Sequence, residues 1–206
     1  MFKDQRLMFM RKLRTIEMNR LTVEEFRRAQ KLPLVVVLDD VRSLHNVGSV
    51  FRTCDAFRVS AICLCGITAT PPSAEIHKTA LGAEDSVSWT YYATAQEAVS
   101  KLHEQDYLVY SVEQAEGSTP LHLFAPHRPA SQPQLSEDAL PAAESAGMAI
   151  VLGNEVKGVH QEVVDMCDGC IEIPQFGTKH SLNVSVAAGI VVWEFARQML
   201  LSPPNT

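Results

Sequence analysis

This chain has no uninterrupted apolar run that reaches the roughly 18 residues of a membrane-spanning helix, so no membrane role is expected. Its first residues, MFKDQRLMFMRKLRT, are charged and lack the apolar middle of a secretory signal, so the expected location is the cytoplasm. No G-x-G-x-x-G follows a strand-like run and no G-x-x-x-x-G-K-[ST] occurs, which argues against a dinucleotide-dependent dehydrogenase and a P-loop NTPase. H-E-x-x-H and G-x-S-x-G are also missing, which removes zincin and serine-hydrolase chemistry. Cysteine is sparse and odd in number: Cys54, Cys63, Cys65, Cys167 and Cys170. Reduced, mostly buried thiols are expected, because neither C-x-C nor C-x-x-C here completes a zinc ribbon or finger, and no metal is expected. His77, His103, His122 and His160 have no partner at a useful sequence spacing and read as surface or structural.

What is present is an ordinary globular composition over 206 residues, 46% hydrophobic and 20% charged, enough for one domain with a sizeable core. The net charge of −6 is unevenly spread. Residues 1–31 hold nine Lys/Arg against four acids, a local +5 that leaves −11 on the rest. A basic segment on an acidic body suits a phosphate-binding arm, with a solvated amphipathic helix as the plain alternative.

The first 30 residues read as two helices, the second opened by a Thr22/Glu25 capping box. Leu34–Leu38 is apolar on both faces and reads as a buried parallel strand. Helix from about Asn46 to Phe57, strand Ala61–Cys65, helix Glu75–Ala80, strand Val87–Tyr92, helix Ala95–Glu104 and strand Tyr107–Val112 follow. Residues 117–147 carry five prolines and little periodicity, and read as an insertion with a mobile centre. Strand Met148–Leu152, helix Gln161–Met166, strand Cys170–Ile173 and a long final helix complete the chain. Such alternation predicts an α/β fold, a mostly parallel sheet with helices on both faces, whose ligands bind beyond the carboxyl ends of strands.

Three polar, Gly-bearing loops stand at such ends. After Leu38, Asn46 is a candidate N-cap, and Gly48 permits close approach of a substrate or a neighbouring backbone. Arg52 lies one turn beyond Gly48 and suits a phosphate, or else an ion pair with Asp39, Asp40 or Asp55. After Leu152, Gly153 and Gly158 bound a turn whose Glu155 is either a carboxylate for a ligand or a helix cap. After Ile173, backbone groups as far as Gln175 are free to read a flat base with Leu182 on its face, and Ser181 and Asn183 can reach a hydroxyl or carboxylate. Ala187, Ala188 and Gly189 in the last helix let another backbone come close.

In this order, Asn46-x-Gly48-x-x-x-Arg52, Gly153-x-Glu155-x-x-Gly158 and Pro174-x-x-Gly177 with Ser181–Ser185 resemble the motifs of the SpoU (TrmH-type) RNA ribose methyltransferases of the SPOUT superfamily. The resemblance spans about residues 34–200 without the insertion. It implies a deep C-terminal trefoil knot, a homodimer, S-adenosylmethionine as cofactor and methyl transfer to a ribose 2′-hydroxyl of tRNA or rRNA. It implies that Gly153, Ile173 and Leu182 line the adenosine pocket with Gln175 nearby, and that Arg52, Asn46, Glu155, Ser181 and Asn183 surround the reacting centre as the catalytic set. Residues 1–30 would be a basic helical extension, possessing the RNA grip, and 31–206 the methyltransferase domain. A SPOUT-type base methyltransferase and a non-catalytic RNA- or cofactor-binding relative are the alternatives.

Overall fold

A computed structural model describes residues 11–126 and 147–201. The centre of the expected insertion, 127–146, lies outside the described residues, as do 1–10 and 202–206.

The chain begins with a 3-10 turn, Thr15–Met18, where a helix was expected, and continues into helix α1, Val23–Arg28. The capping box that opens α1 is formed: the Thr22 hydroxyl accepts from Glu25 N–H at 3.2 Å, and Glu25 accepts from Thr22 N–H at 2.8 Å. Strand β1 is Leu32–Asp39, helix α2 Leu44–Ala56, strand β2 Val59–Cys65 and helix α3 Ala74–Ala80. A one-turn helix α4, Ala83–Ser86, leads to β3, Ser88–Tyr92. Then come α5, Ala95–His103, and β4, Leu108–Val112. Thr119–Pro120, inside the range expected as an insertion, forms a short strand β5. The remainder is β6 Met148–Leu152, α6 Gln161–Met166, β7 Gly169–Glu172 and α7 Val184–Ala196, which runs on as a π-helical turn to Leu201.

The seven strands form one sheet in the order β3-β2-β1-β6-β4-β7-β5, and every pairing is parallel. This explains the apolar strands, since both faces must be covered by helices. In β1 the even-numbered Leu34, Val36 and Leu38 enter a core shared with α2 and α7. The odd-numbered Val35 and Val37 enter a second core beneath α5 and α6. Fully burying one such side chain contributes roughly 1.5–3 kcal/mol, and these strands bury nearly all of theirs.

Successive strands β1, β2 and β3 run outward in one direction, and β4 lies on the other side of β1. That reversal is the topological switch point, where α/β sheets open a crevice. Strand β6 enters this gap late in sequence, between β1 and β4. Strand β7 then enters between β4 and β5. The turns that follow β1, β6 and β7 are thereby gathered at one end of the sheet.

Helix α7 and its extension, Val184–Leu201, are long and apolar enough by composition to cross a membrane. Packing gives the physical reason for that composition. Val184, Ala188, Val191, Val192 and Phe195, spaced four, three, one and three apart, are buried in the main core.

Candidate active site

Helix α2 starts earlier than expected. Its N-cap is Ser43, whose hydroxyl accepts from Asn46 N–H at 3.3 Å, so Asn46 is already inside the helix. Relieved of capping, the Asn46 side chain faces the neighbouring loops. Its Nδ2 donates to Glu155 Oε1 at 2.9 Å, and its Oδ1 accepts from Asn183 Nδ2 at 3.1 Å. One amide therefore joins the loops after β1, β6 and β7. Asn183 in turn caps α7, its Oδ1 accepting from Ser185 N–H at 2.9 Å and Val186 N–H at 3.4 Å, and from the Ser185 hydroxyl at 2.6 Å.

Glu155 is tied to the start of α2. Its carboxylate accepts from the backbone N–H groups of Arg42 and Ser43, both at 3.1 Å, and from Asn46. Partial burial pushes its pKa up, but hydrogen bonds from Arg42 N–H, the Asn46 amide, its own N–H and Ser43 N–H outweigh this and hold it below the ordinary carboxylate value.

The turn that carries Glu155 is closed tightly. Asn154 and Gly158 exchange backbone hydrogen bonds at 3.0 and 2.8 Å, and Asn154 Oδ1 accepts from Val156 and Lys157 N–H. Gly153 has no room for a side chain: a Cβ there would lie 2.0 Å from the Gly158 carbonyl carbon and from Val159 N. The turn is also fastened from both sides. Asn154 Nδ2 donates to the Asp40 carbonyl at 2.7 Å, and Asp39 accepts from both the N–H and the ring Nδ1 of His160 at 3.0 and 2.9 Å. From β4's end, Glu113 accepts from Val159 N–H at 2.8 Å.

Sequence spacing found no partner for His160, His77 or His103, yet each meets a carboxylate from elsewhere in the chain: Asp39, Glu84 and Asp168. Asp39, Asp40 and His160 are the one group of three potential metal ligands among the described residues, and the two cysteine pairs do not join it. All five cysteines are free thiols, and burial raises the pKa of Cys54, Cys63, Cys65 and Cys167 above the ordinary thiol value.

The loop after β7 is built differently. Among the described residues, the backbone of Ile173 to Gln175 makes no hydrogen bond, although Ile173 packs against the main core. Such free donors and acceptors at a strand end fit a planar, hydrogen-bonding ligand. Leu182 is 37% exposed, and Ser181 and Gln175 have no side-chain partner among the described residues. Arg52 is exposed on α2 and makes no ion pair among the described residues, so Asp39, Asp40 and Asp55 do not claim it. Gly48 serves the backbone alternative, since a Cβ would meet Ile76 O at 2.3 Å where α3 crosses α2. Ala188 packs inside, whereas a Cβ on Gly189 would meet nothing within 4 Å, so Gly189 makes no close backbone contact among the described residues.

Glu113, Gln114, Asp39 and His160 are site-supporting residues that sequence patterns missed. Only the Asx-turn habit of Asn154 offered a local signal.

The SpoU rRNA Methylase family model matches residues 33–193, a span holding all three loops. The 23S rRNA (guanosine-2′-O-)-methyltransferase RlmB of Vibrio vulnificus is 30% identical over 90% of this chain and 68% of its own. The tRNA (guanosine(18)-2′-O)-methyltransferase of Thermus thermophilus is 30% identical over 89% of this chain and 84% of its own. The crystal structure of an AdoMet-bound rRNA methyltransferase from Sinorhizobium meliloti is 26% identical with a TM-score of 0.68, covering 87% of this chain and 61% of that one. With three loops joined through one asparagine at the sheet's switch point and a family model spanning them, this chain belongs to the SpoU rRNA methylase family.

Proposed function

We propose that this protein transfers a methyl group from S-adenosylmethionine to a ribose 2′-hydroxyl of structured RNA, tRNA or rRNA. The observation that carries the reading is the hydrogen-bonded chain Glu155–Asn46–Asn183, which draws the three loops together at one end of the sheet; Arg52, on the helix that begins there, is exposed and forms no ion pair among the described residues. The named activities of the 30% identical relatives agree with it.

The free backbone groups of Ile173–Gln175, with Leu182 and the Gly153 turn, are the fit for the adenosine part of the cofactor. When bound, that cofactor supplies an electrophilic methyl. The chain must then hold the ribose hydroxyl in line and stabilise its oxygen as the proton leaves. A guanidinium stays charged and serves poorly as a base, so Arg52 anchors a phosphate and stabilises the developing alkoxide. Asn46 and Glu155 position the start of α2, the helix that carries Arg52 about two turns further on, and Ser181 and Asn183 hold the far side.

In the loops that meet here Arg42, Lys157 and Lys179, and on α2 Arg52, are exposed and form no ion pair among the described residues. Unpaired cations on an acidic body favour a phosphate backbone. We assign residues 1–30 to a basic RNA-gripping extension and 31–206 to the methyltransferase domain, working in the cytoplasm. A homodimer is supported by Val186, Ile190 and Trp193, exposed on α7 beside Gly189. A C-terminal trefoil knot is supported by the late entry of β6 and β7 between earlier strands.

The test is methyl transfer from labelled S-adenosylmethionine to total RNA, followed by nucleoside analysis. A 2′-O-methylnucleoside is expected; a methylated base, or no transfer alongside retained cofactor binding, would overturn the reading. Removal of residues 1–20 should weaken RNA affinity and flatten its salt dependence.

A further inference from the structure

Strand β4 lies between β6 and β7, so its carboxyl end stands between the two loops that would cradle the cofactor. The two residues found there reach in opposite directions. Glu113 accepts from Val159 N–H at 2.8 Å, on the turn after β6. Its carboxylate packs so closely on Gly158 that a Cβ there would lie 2.2 Å from Glu113 Oε1, and Gly158 has φ +71°. Gln114 Nε2 donates to the His180 carbonyl at 2.6 Å, on the loop after β7. The peptide carrying both is itself fixed to β7: Glu113 N–H donates to Ile171 O at 3.1 Å, and the Cys170 thiol to Glu113 O at 3.4 Å.

The Gln114 bond is the one hydrogen bond to segment 173–182 among the described residues. In the rest of that segment Ile173 packs against the main core, while residues 176–182 are exposed. We propose that Glu113 and Gln114 act together as a positioning brace, setting the separation of the Gly153–His160 turn and the 173–182 loop and with it the affinity for S-adenosylmethionine. Neither is a catalytic residue; each acts through a loop that meets the cofactor. The inference deepens the methyltransferase reading and rests on it.

Physical expectation separates the two arms. Gln114 is exposed, so Gln114→Glu leaves the fold intact but sets an acceptor against the His180 carbonyl. Glu113→Ala removes the acceptor for Val159 N–H, whereas Glu113→Gln keeps a carbonyl there. Calorimetry with S-adenosylmethionine should show Kd raised about tenfold in Gln114→Glu and in Glu113→Ala, with Glu113→Gln within about threefold of the parent chain. KM for the cofactor should rise in proportion while kcat moves far less, a split that general destabilisation does not produce. Amide exchange without cofactor should show Val159 losing protection in Glu113→Ala and keeping it in Gln114→Glu. Cofactor affinity that matches the parent in both disruptive variants would overturn the brace and leave the methyltransferase reading standing. A parent chain that binds no S-adenosylmethionine would overturn that reading, and the brace's role in affinity with it, while the exchange pattern would still decide whether Glu113 holds the turn.

Discussion

The turn after β6 and the loop after β7 stand at the same end of one sheet, yet they are made in opposite ways. The first, Gly153–His160, is gripped by Asp39, Asp40, Glu113 and the start of α2, and closed on itself through Asn154 and Gly158. Among the described residues, the second has one side-chain tether, at His180, before Asn183 begins the next helix. Its Phe176 is 97% exposed. The difference teaches that one wall of the crevice is pre-formed while the other keeps its backbone groups available. Pre-formed polar geometry lowers the cost of holding a ligand, and free groups supply the recognition.

The largest expected effect lies on the reacting side of that crevice. Arg52→Ala should lower kcat by about a hundredfold to a thousandfold while calorimetry shows S-adenosylmethionine binding retained. Retained turnover would remove Arg52 from the mechanism. Next comes the contrast between the two walls themselves. Gly153→Ala forces a Cβ to 2.0 Å from backbone, so a loss of roughly 2–4 kcal/mol or failure to fold is expected. Gly177→Ala, where a Cβ meets nothing within 4 Å, should stay within about 0.5 kcal/mol of the parent. Equal unfolding midpoints for the two variants would erase the distinction drawn here.

A smaller effect is expected where the walls meet. Asn183→Ala removes the α7 cap and the link to Asn46, and about 1–2 kcal/mol of unfolding free energy should be lost. The smallest is a pH dependence. The native pKa of Glu155 is lowered, so its contribution to stability is present above the ordinary carboxylate range and disappears as pH falls through the native value. Glu155→Gln should therefore be less stable than the parent near neutrality, with the gap narrowing in acid; denaturant melts at several pH values measure it.

Much of the fold was legible locally. Met148–Leu152 and Gln161–Met166 matched their expected bounds, and the Thr22/Glu25 capping box formed as its spacing implied. Helix α4 escaped notice because a single turn has no periodicity, and β5 because a two-residue edge strand ending in Pro120 resembles a loop. Ser43 displaced Asn46 as the cap because either residue type suits that position. The choice was made by Glu155, 109 residues away, which takes the Asn46 amide.

Sequence alone determined that β1 and β6 are buried on both faces and that polar, glycine-bearing loops follow β1, β6 and β7, because burial and turn chemistry are written in neighbouring residues. Tertiary structure alone decided what those loops touch. Val159 finds its acceptor 46 positions away on Glu113, and Asn46 meets Asn183 across 137 residues, because β6 enters between β1 and β4 rather than at an edge. No local pattern records which strands become neighbours, so the crevice and its fastenings exist only once the sheet has assembled.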